Sequence, residues 1–297
     1  MHLASRLSLV TCFAFAALSG CADAPSDSQS CHAVSAPVDD PDAMPPEILA
    51  YLGMHHMGHM HLDFHVARQW DILGPDTQDW ATRQDITRSP LQEGVPTSGL
   101  EFLAMHRLMI GELMARFPDH AGLFAGWKTP PTDAKDPANL LPDGTPAFDA
   151  NMVAAIDRIE NGLSTFDSDD DFARFLQTKR RPTEADPHNR DRDPSAGLHN
   201  YLHQRWTSPD SPINVGDPAL NLGNQVFWRI HGWIDARWTA YRKAKGLDDA
   251  TDPTYLAALQ AAQQWLDAAM SRAHMVGDKS DDGCSAEPAD VKTIFVE

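Results

Sequence analysis

The sequence predicts a mainly α-helical protein in which long loops connect a central four-helix bundle. Apolar residues recur at spacings of three and four along several segments, as they do on the buried face of a helix. We find no convincing segment in which apolar and polar residues alternate, which is the pattern of a half-buried strand. The chain has 297 residues, of which 42% are hydrophobic, so it can bury a sizeable core.

The N-terminus has the pattern of a secretory signal. Arg6 supplies a positive charge, and the apolar run 7–18 is too short to span a membrane. The tetrapeptide LSGC, which ends at Cys21, resembles the box at which bacterial lipoproteins are cleaved and lipidated; the alternative is an ordinary signal peptide cleaved near one of the next alanines. We expect a lipoprotein signal peptide over 1–20 and export to the periplasmic or cell-surface side, with a membrane anchor on Cys21.

The remaining chain divides into a tether, one domain and a tail. Residues 21–46 are rich in Ala, Asp, Ser and Pro, which is typical of a flexible tether. The domain covers 47–275, and a mostly polar C-terminal tail covers 276–297. Pro45-Pro46 opens the first helical stretch, and segments rich in Pro, Asp and Gly separate the later ones. The predicted helices are 46–73, 99–117, 149–163, 168–178, 195–206, 221–245 and 253–274.

Charge and short motifs exclude several classes of protein. With 24 Lys and Arg against 42 Asp and Glu, the formal net charge is −18, which argues against binding to nucleic acid. The sequence contains no GxSxG, no phosphate-binding Walker loop, no HExxH and no CxxC. Serine hydrolases, phosphate-handling enzymes and zinc ribbons therefore find no support.

Two cysteines remain after export. Cys12 leaves with the signal peptide and Cys21 would carry the lipid, which leaves Cys31 and Cys284. In an oxidising compartment we expect these two to form a disulfide between the tether and the tail; free thiols are the alternative.

Histidines carry the clearest functional pattern. Of the 14 in the chain, His61 and His65 are four residues apart in one predicted helix, and His199 and His203 are four apart in another. Residues at this spacing project from one helical face, so two imidazoles can reach one metal ion. His106 and His231 lie singly in two further helices. Two pairs and two single residues provide three imidazoles for each of two metal ions.

The residues around these histidines resemble a known family. The stretch FWRIHGWIDARWTAYRK, with GLHNYLH upstream, resembles the second copper motif of arthropod hemocyanins and phenoloxidases. EFLAMHRLMI is similar to their third copper-A ligand helix and to the FLPWHR of tyrosinases, and HMHLDFH is similar to the hemocyanin helix that carries two copper-A ligands. The resemblance covers roughly 47–245 and is more specific in the copper-B half.

This resemblance to type-3 copper proteins implies two copper ions that bind O2 between them. The family pattern assigns copper A to His61, His65 and His106, and a competing assignment uses His55 and His59, which are also four residues apart. Three neutral imidazoles suit copper and leave a coordination position open for O2. The pattern assigns copper B to three further residues, His199, His203 and His231.

Three further features accompany the predicted ligands. By the resemblance, Asn200 helps to hold a water that deprotonates a phenol; a helix-surface Asn is the alternative. Asp235 lies one turn after His231 and is expected to accept its second ring N–H; the alternatives are a solvated charge and an ion pair with Arg229 or Arg237. The stretch MHHMGHMH at 54–61 offers methionine sulfur and histidine nitrogen atoms that could bind copper and deliver it to the site. The alternative is a helix face whose methionines pack against the protein.

The predicted function is an exported type-3 copper oxidase that uses O2 to oxidise phenols or o-diphenols, like a tyrosinase or catechol oxidase. The alternative is a non-enzymatic lipoprotein that binds O2 or copper at a hemocyanin-like site. The chain is too short for the large shielding domains of the carriers, which favours an oxidase. We expect a small phenolic substrate selected by loops 74–98 and 207–224, and a copper-delivery protein is a possible partner.

Overall fold

The computed structural model describes residues 40–132, 148–180, 192–277 and 291. The predicted signal peptide, the lipidation site Cys21 and the candidate disulfide between Cys31 and Cys284 lie outside the described residues, as do most of the predicted tether and tail.

The described residues are mainly helical, which confirms the predicted fold class. Within them no β-strand forms, and extended pairing is confined to two isolated bridges, Ala43 with Asn224 and Arg180 with Arg192. Short 3-10 helices span Trp70–Ile72, Pro118–Phe124, Leu163–Thr165 and Asn221–Gly223. The α-helices of the described part are α1 (Pro46–Met54), α2 (Met57–Gln69), α3 (Pro75–Arg83), α4 (Ser98–Arg116), α5 (Ala150–Asn161), α6 (Asp169–Gln177), α7 (Leu198–Arg205), α8 (Gln225–Ala244) and α9 (Pro253–Gly277).

The helix predicted over 46–73 is interrupted. Between α1 and α2 the backbone of His56 has φ of 51°, in the left-handed region that ends helical geometry. The apolar spacing continues across this break, since Leu52, Met57 and Met60 are all buried. The periodicity therefore predicts one helix where the structure has two, followed by a 3-10 turn.

One helix lies where the sequence predicted a loop. Helix α3 occupies part of the segment 74–98, with Pro75 at its first position, where the missing N–H costs nothing. Its buried residues are Thr77, Trp80 and Ala81, spaced by three and four. This apolar face is too short to stand out from a polar surrounding sequence, so the prediction of a loop was wrong here.

Helix α4 is central to the packing. It contacts α6, α8 and α9, while α2 packs against α9. The contact with α6 is close, because a Cβ atom added at Gly99 would lie 2.7 Å from the Cβ of Ala173. Since α4 also packs against α6 and α9, which carry none of the six candidate ligands, these contacts do not confirm a four-helix bundle built around the ligands. The central four-helix bundle stays a prediction.

A buried arginine fixes the end of α8. Arg242 is 1% exposed and donates from Nη1 to Asp169 at 2.8 Å, from Nε to Asp249 at 2.6 Å and from Nη2 to Asp252 at 3.0 Å. A buried guanidinium is tolerated when carboxylates pair with it. These bonds tie α8 to the start of α6 and to the turn before α9.

The end of the predicted tether is structured. The N–H of Met44 donates to the carbonyl of Gly223 at 2.8 Å, and the Met44 side chain is buried. The described residues just before Pro46 therefore pack against the domain. In the described part of the chain, no helix is both long and apolar enough to cross a membrane.

Candidate metal centre

The six predicted ligands converge in the interior of the protein. Each is between 0% and 4% exposed, which is unusual for a titratable side chain. They come from four helices that are distant in sequence: His61 and His65 from α2, His106 from α4, His199 and His203 from α7, and His231 from α8.

Main-chain carbonyls fix two rings of the first triad, which comprises His61, His65 and His106. Nδ1 of His61 lies 2.9 Å from the carbonyl oxygen of Pro218, and Nδ1 of His106 lies 2.8 Å from that of Phe102. A carbonyl can only accept, so both Nδ1 atoms carry the proton and each neutral ring keeps a lone pair on Nε2. These two Nε2 atoms are 3.3 Å apart, and Nε2 of His65 is 3.1 Å from that of His61. Two facing lone pairs repel each other unless a cation lies between them.

The second triad, His199, His203 and His231, is held in a similar way. Nδ1 of His203 donates to the carbonyl of Val215 at 2.7 Å, so its Nε2 lone pair faces Nε2 of His231 at 3.2 Å. Nδ1 of His199 lies 2.9 Å from Oδ1 of Asn200.

The two triads are contiguous. The rings of His106 and His231 stack with their centroids 4.0 Å apart and nearly parallel. Potential ligand atoms of His106, His199 and His231 lie within 4.8 Å of one another, as do those of the first triad. By this measure His106 belongs to both groups, whereas the family pattern places His203 in the second. Two metal ions held here would be neighbours.

Burial keeps these imidazoles neutral. Removal from water lowers the pKa of His61 from 6.5 to about 4. The pKa of each of the other five is also lowered, first by burial and then by the neighbouring histidines. At neutral pH the rings therefore offer lone pairs and carry no charge that would repel a cation.

The geometry fits metal ions bound by histidine. Two nitrogens bound to one ion at about 2.0–2.1 Å with a tetrahedral angle are about 3.3 Å apart. The three Nε2 separations of 3.1, 3.2 and 3.3 Å match this value. The buried histidine groups can therefore hold metal ions.

The structure assigns different positions to the two predicted supporting residues. Asn200 is 2% exposed and accepts from His199, which excludes the helix-surface alternative. The expectation for Asp235 was wrong: its carboxylate accepts from Nε of Arg107 at 2.6 Å. Among the described residues, Nδ1 of His231 has no hydrogen-bond partner. Arg107 is on α4, far from Asp235 in sequence. The spacing of residues along α8, on which the expectation was based, contains no information about this partner.

The competing copper-A pair does not share one helix. His55 follows the end of α1 and stacks on Tyr51, with ring centroids 4.3 Å apart, whereas His59 is in the first turn of α2. Both are intermediate in burial. Neither belongs to a metal-binding group among the described residues.

Sequence reasoning missed two aromatic rings beside the cluster. Phe102 contacts His199 and His106 with centroid distances of 4.8 and 4.6 Å, and Phe227 contacts His231 at 4.2 Å. Both phenylalanines are fully buried. Each precedes a histidine of its own helix by four residues, and this spacing was the available signal.

A buried carboxylate on α2 was also missed. Asp63 lies between the two histidines of this helix in sequence, and burial raises its pKa to about 7, against the opposing effect of Arg272. Its Oδ2 is 3.9 Å from Nη2 of Arg272 on α9. It belongs to no metal-binding group in the described part of the chain.

A scan against protein-family models, a search of curated proteins and a search of solved structures each found no match for this chain. The fold and the site themselves define a mainly helical protein with a buried six-histidine centre that can hold metal ions.

Proposed function

We propose that this protein is an exported type-3 copper oxidase that uses O2 to oxidise phenols or o-diphenols. In this proposal His61, His65 and His106 hold one copper ion, and His199, His203 and His231 hold the second. The observation that carries the proposal is the approach of histidine Nε2 atoms from separate helices to 3.2–3.3 Å inside the core.

The donor set supports copper as the metal. The groups that can hold an ion within the described residues contain imidazoles and no carboxylate or thiolate. Imidazole suits copper as well as zinc, while carboxylate-free sites are poor for magnesium or calcium. Two adjacent copper ions would supply O2 binding and the oxidising power for a phenolic ring. The resemblance of FWRIHGWIDARWTAYRK to the copper-B motif favours copper over zinc.

The chain's own residues prepare the site for this chemistry. The carbonyls of Pro218, Phe102 and Val215 hold three rings in the tautomer that presents Nε2. Phe102 and Phe227 line the cluster with apolar surface and exclude water from it. The proposed water-holding role of Asn200 toward a monophenol adds to its observed bond with His199.

The cellular setting remains part of the proposal. The segment before residue 40 would carry the lipid anchor on Cys21 and hold the domain on the outer side of a membrane. The partners would be O2, a small phenolic substrate and a copper-delivery protein.

Burial favours a second candidate, a protein that binds O2 or copper without turnover. The six histidines are at most 4% exposed, and buried phenylalanines contact them. Such a site admits a diatomic molecule more readily than an aromatic ring. An O2-binding protein requires the same two metal ions as the oxidase, so turnover separates those two. A protein that only binds copper could hold a single ion.

The metal assignment is tested by metal analysis of two variants. Wild-type protein reconstituted with copper should contain two ions per chain, and His203→Ala should lose about one of them. His120→Ala is the matched control, because this histidine is partly exposed and pairs with Glu47 at 2.6 Å, outside the cluster. Unchanged copper content in His203→Ala would refute the assignment.

Activity is tested with a small catechol and an oxygen electrode. Each O2 accepts four electrons and four protons, so it should oxidise two catechols to quinones and yield two waters. Uptake of O2 with that stoichiometry supports the oxidase. Two bound copper ions with O2-dependent absorption but no catechol oxidation would favour the binding protein. One bound copper and neither signal would refute the oxidase and favour a protein that only binds copper.

A further inference from the structure

The loop between α7 and α8 contains a buried section, residues 213–219. Every residue of this section is buried, although it contains no regular secondary structure. A buried loop is uncommon because its main-chain groups must find partners away from water. Side chains of the loop and of its flanks provide those partners.

Two side chains of the section satisfy its own backbone. Oδ1 of Asn214 accepts from the N–H of Gly216 at 3.1 Å, and Oδ1 of Asp217 accepts from the N–H of Ala219 at 2.9 Å. Asn214 also accepts from the N–H of Ser208 at 3.0 Å. Bonds of this kind make Asx turns, which fix the direction of the peptide between the two bonded residues.

The peptides fixed in this way carry the carbonyls that orient the cluster. Asn214 and Gly216 flank Val215, whose carbonyl accepts from His203 on α7 at 2.7 Å. Asp217 and Ala219 flank Pro218, whose carbonyl accepts from His61 on α2 at 2.9 Å. One short section therefore orients one histidine of each triad.

Close packing leaves this section little freedom. A Cβ atom added at Gly58, three residues before His61, would lie 2.2 Å from the carbonyl oxygen of Ala219. A Cβ atom at Gly216 would lie 2.1 Å from Oγ1 of Thr207, which itself donates to the carbonyl of His203. A side chain at position 58 or 216 would collide with these neighbours, so both positions require glycine.

We infer that residues 213–219 act as one positioning unit that couples the two metal sites, with Asn214 and Asp217 as its positioning residues. Asp217 belongs to no metal-binding group in the described part of the chain. Both side chains act through a neighbouring carbonyl. The inference rests on the metal centre of the proposed function and adds that the two ions do not bind independently. Loss of an outer hydrogen bond to a ligating histidine weakens metal binding by about 10- to 100-fold.

The test compares Asn214→Ala and Asp217→Ala with a matched control. Asp248→Ala removes the same type of bond, from Oδ1 to an N–H two residues later at 2.9 Å, in an exposed turn after α8. Copper affinity is measured for both ions by competition with a chelator. Each loop variant should weaken both ions by about 10-fold or more, while the control stays at the wild-type value. Unchanged affinities, or weakening of one ion alone, would overturn the coupling.

A second measurement uses the metal-free protein and does not depend on the proposed activity. Nitrogen-15 NMR of the histidine rings should show His61 and His203 protonated at Nδ1 in the wild type and mixed tautomers in Asp217→Ala. Asp217→Asn keeps an Oδ1 acceptor and should restore the wild-type spectrum and affinity, which a general loss of stability would not do. A wild-type spectrum without the Nδ1 tautomers would overturn the inference. Correct tautomers in a protein that binds no copper would instead refute the proposed function and leave the positioning role standing.

Discussion

The metal-free protein should lose stability as the pH falls from about 6.5 towards 4. An unfolded chain protonates its histidines around pH 6.5, whereas burial lowers the pKa of the six clustered histidines in the folded state. In this window the unfolded state binds more protons than the folded state. The stabilising contribution is therefore complete above pH 6.5 and is lost as the pH falls through the folded pKa values.

The size of the effect follows from His61 alone. Its pKa falls from 6.5 to about 4 on folding, and each unit corresponds to about 1.36 kcal/mol, so this ring contributes about 3 kcal/mol. Asp63 acts in the opposite direction, because its pKa rises from 3.8 in the unfolded chain to about 7 in the folded protein. This group therefore stabilises the folded state by about 4 kcal/mol more at pH 3.8 than at pH 7. Six histidines act against one carboxyl group, so the net change is destabilisation on acidification.

The measurement is urea unfolding of chelator-treated protein between pH 7.5 and 4.5, with the free energy of unfolding taken at each pH. Asp63→Asn removes the opposing carboxyl group and should make the decline steeper. Copper-loaded protein should show a higher stability at pH 7.5 that acid removes, because protons compete with the metal for Nε2. A metal-free stability that is constant or rises between pH 6.5 and 4.5 would refute this reasoning.

Two further predictions concern packing and the disulfide. Gly232→Ala would place a Cβ atom 2.2 Å from the carbonyl oxygen of Phe124, and should lower the free energy of unfolding by about 1–3 kcal/mol. In the control Gly111→Ala, the new Cβ has no atom within 4 Å other than the adjacent backbone of its own helix, so the helix should be stabilised by up to about 1 kcal/mol. Equal effects in both variants would contradict the packing argument. For Cys31 and Cys284, intact-mass analysis after alkylation without reductant should find neither labelled, and two labelled cysteines would refute the disulfide.

Much of the helical architecture was predictable because its signals are local in sequence. The spacing of apolar residues places α4 to α9 close to their observed bounds. The sequence did not predict the helix break at His56 or the short helix that begins at Pro75. Neither feature changes the apolar pattern over enough residues to be detected.

The sequence by itself determined which side chains could form the cluster. Residues four apart on a helix share a face whatever surrounds them, so the pairs on α2 and α7 could be recognised before any packing was known. The tertiary structure decided that four helices bring six imidazoles together and that His61, His106 and His203 present Nε2. It also decided that the carbonyls of Val215 and Pro218 accept hydrogen bonds from His203 and His61. Asp235 pairs with Arg107 and does not make the predicted bond to His231. Such contacts join segments far apart in the chain, and helical periodicity contains no information about the neighbours that packing places beside a residue.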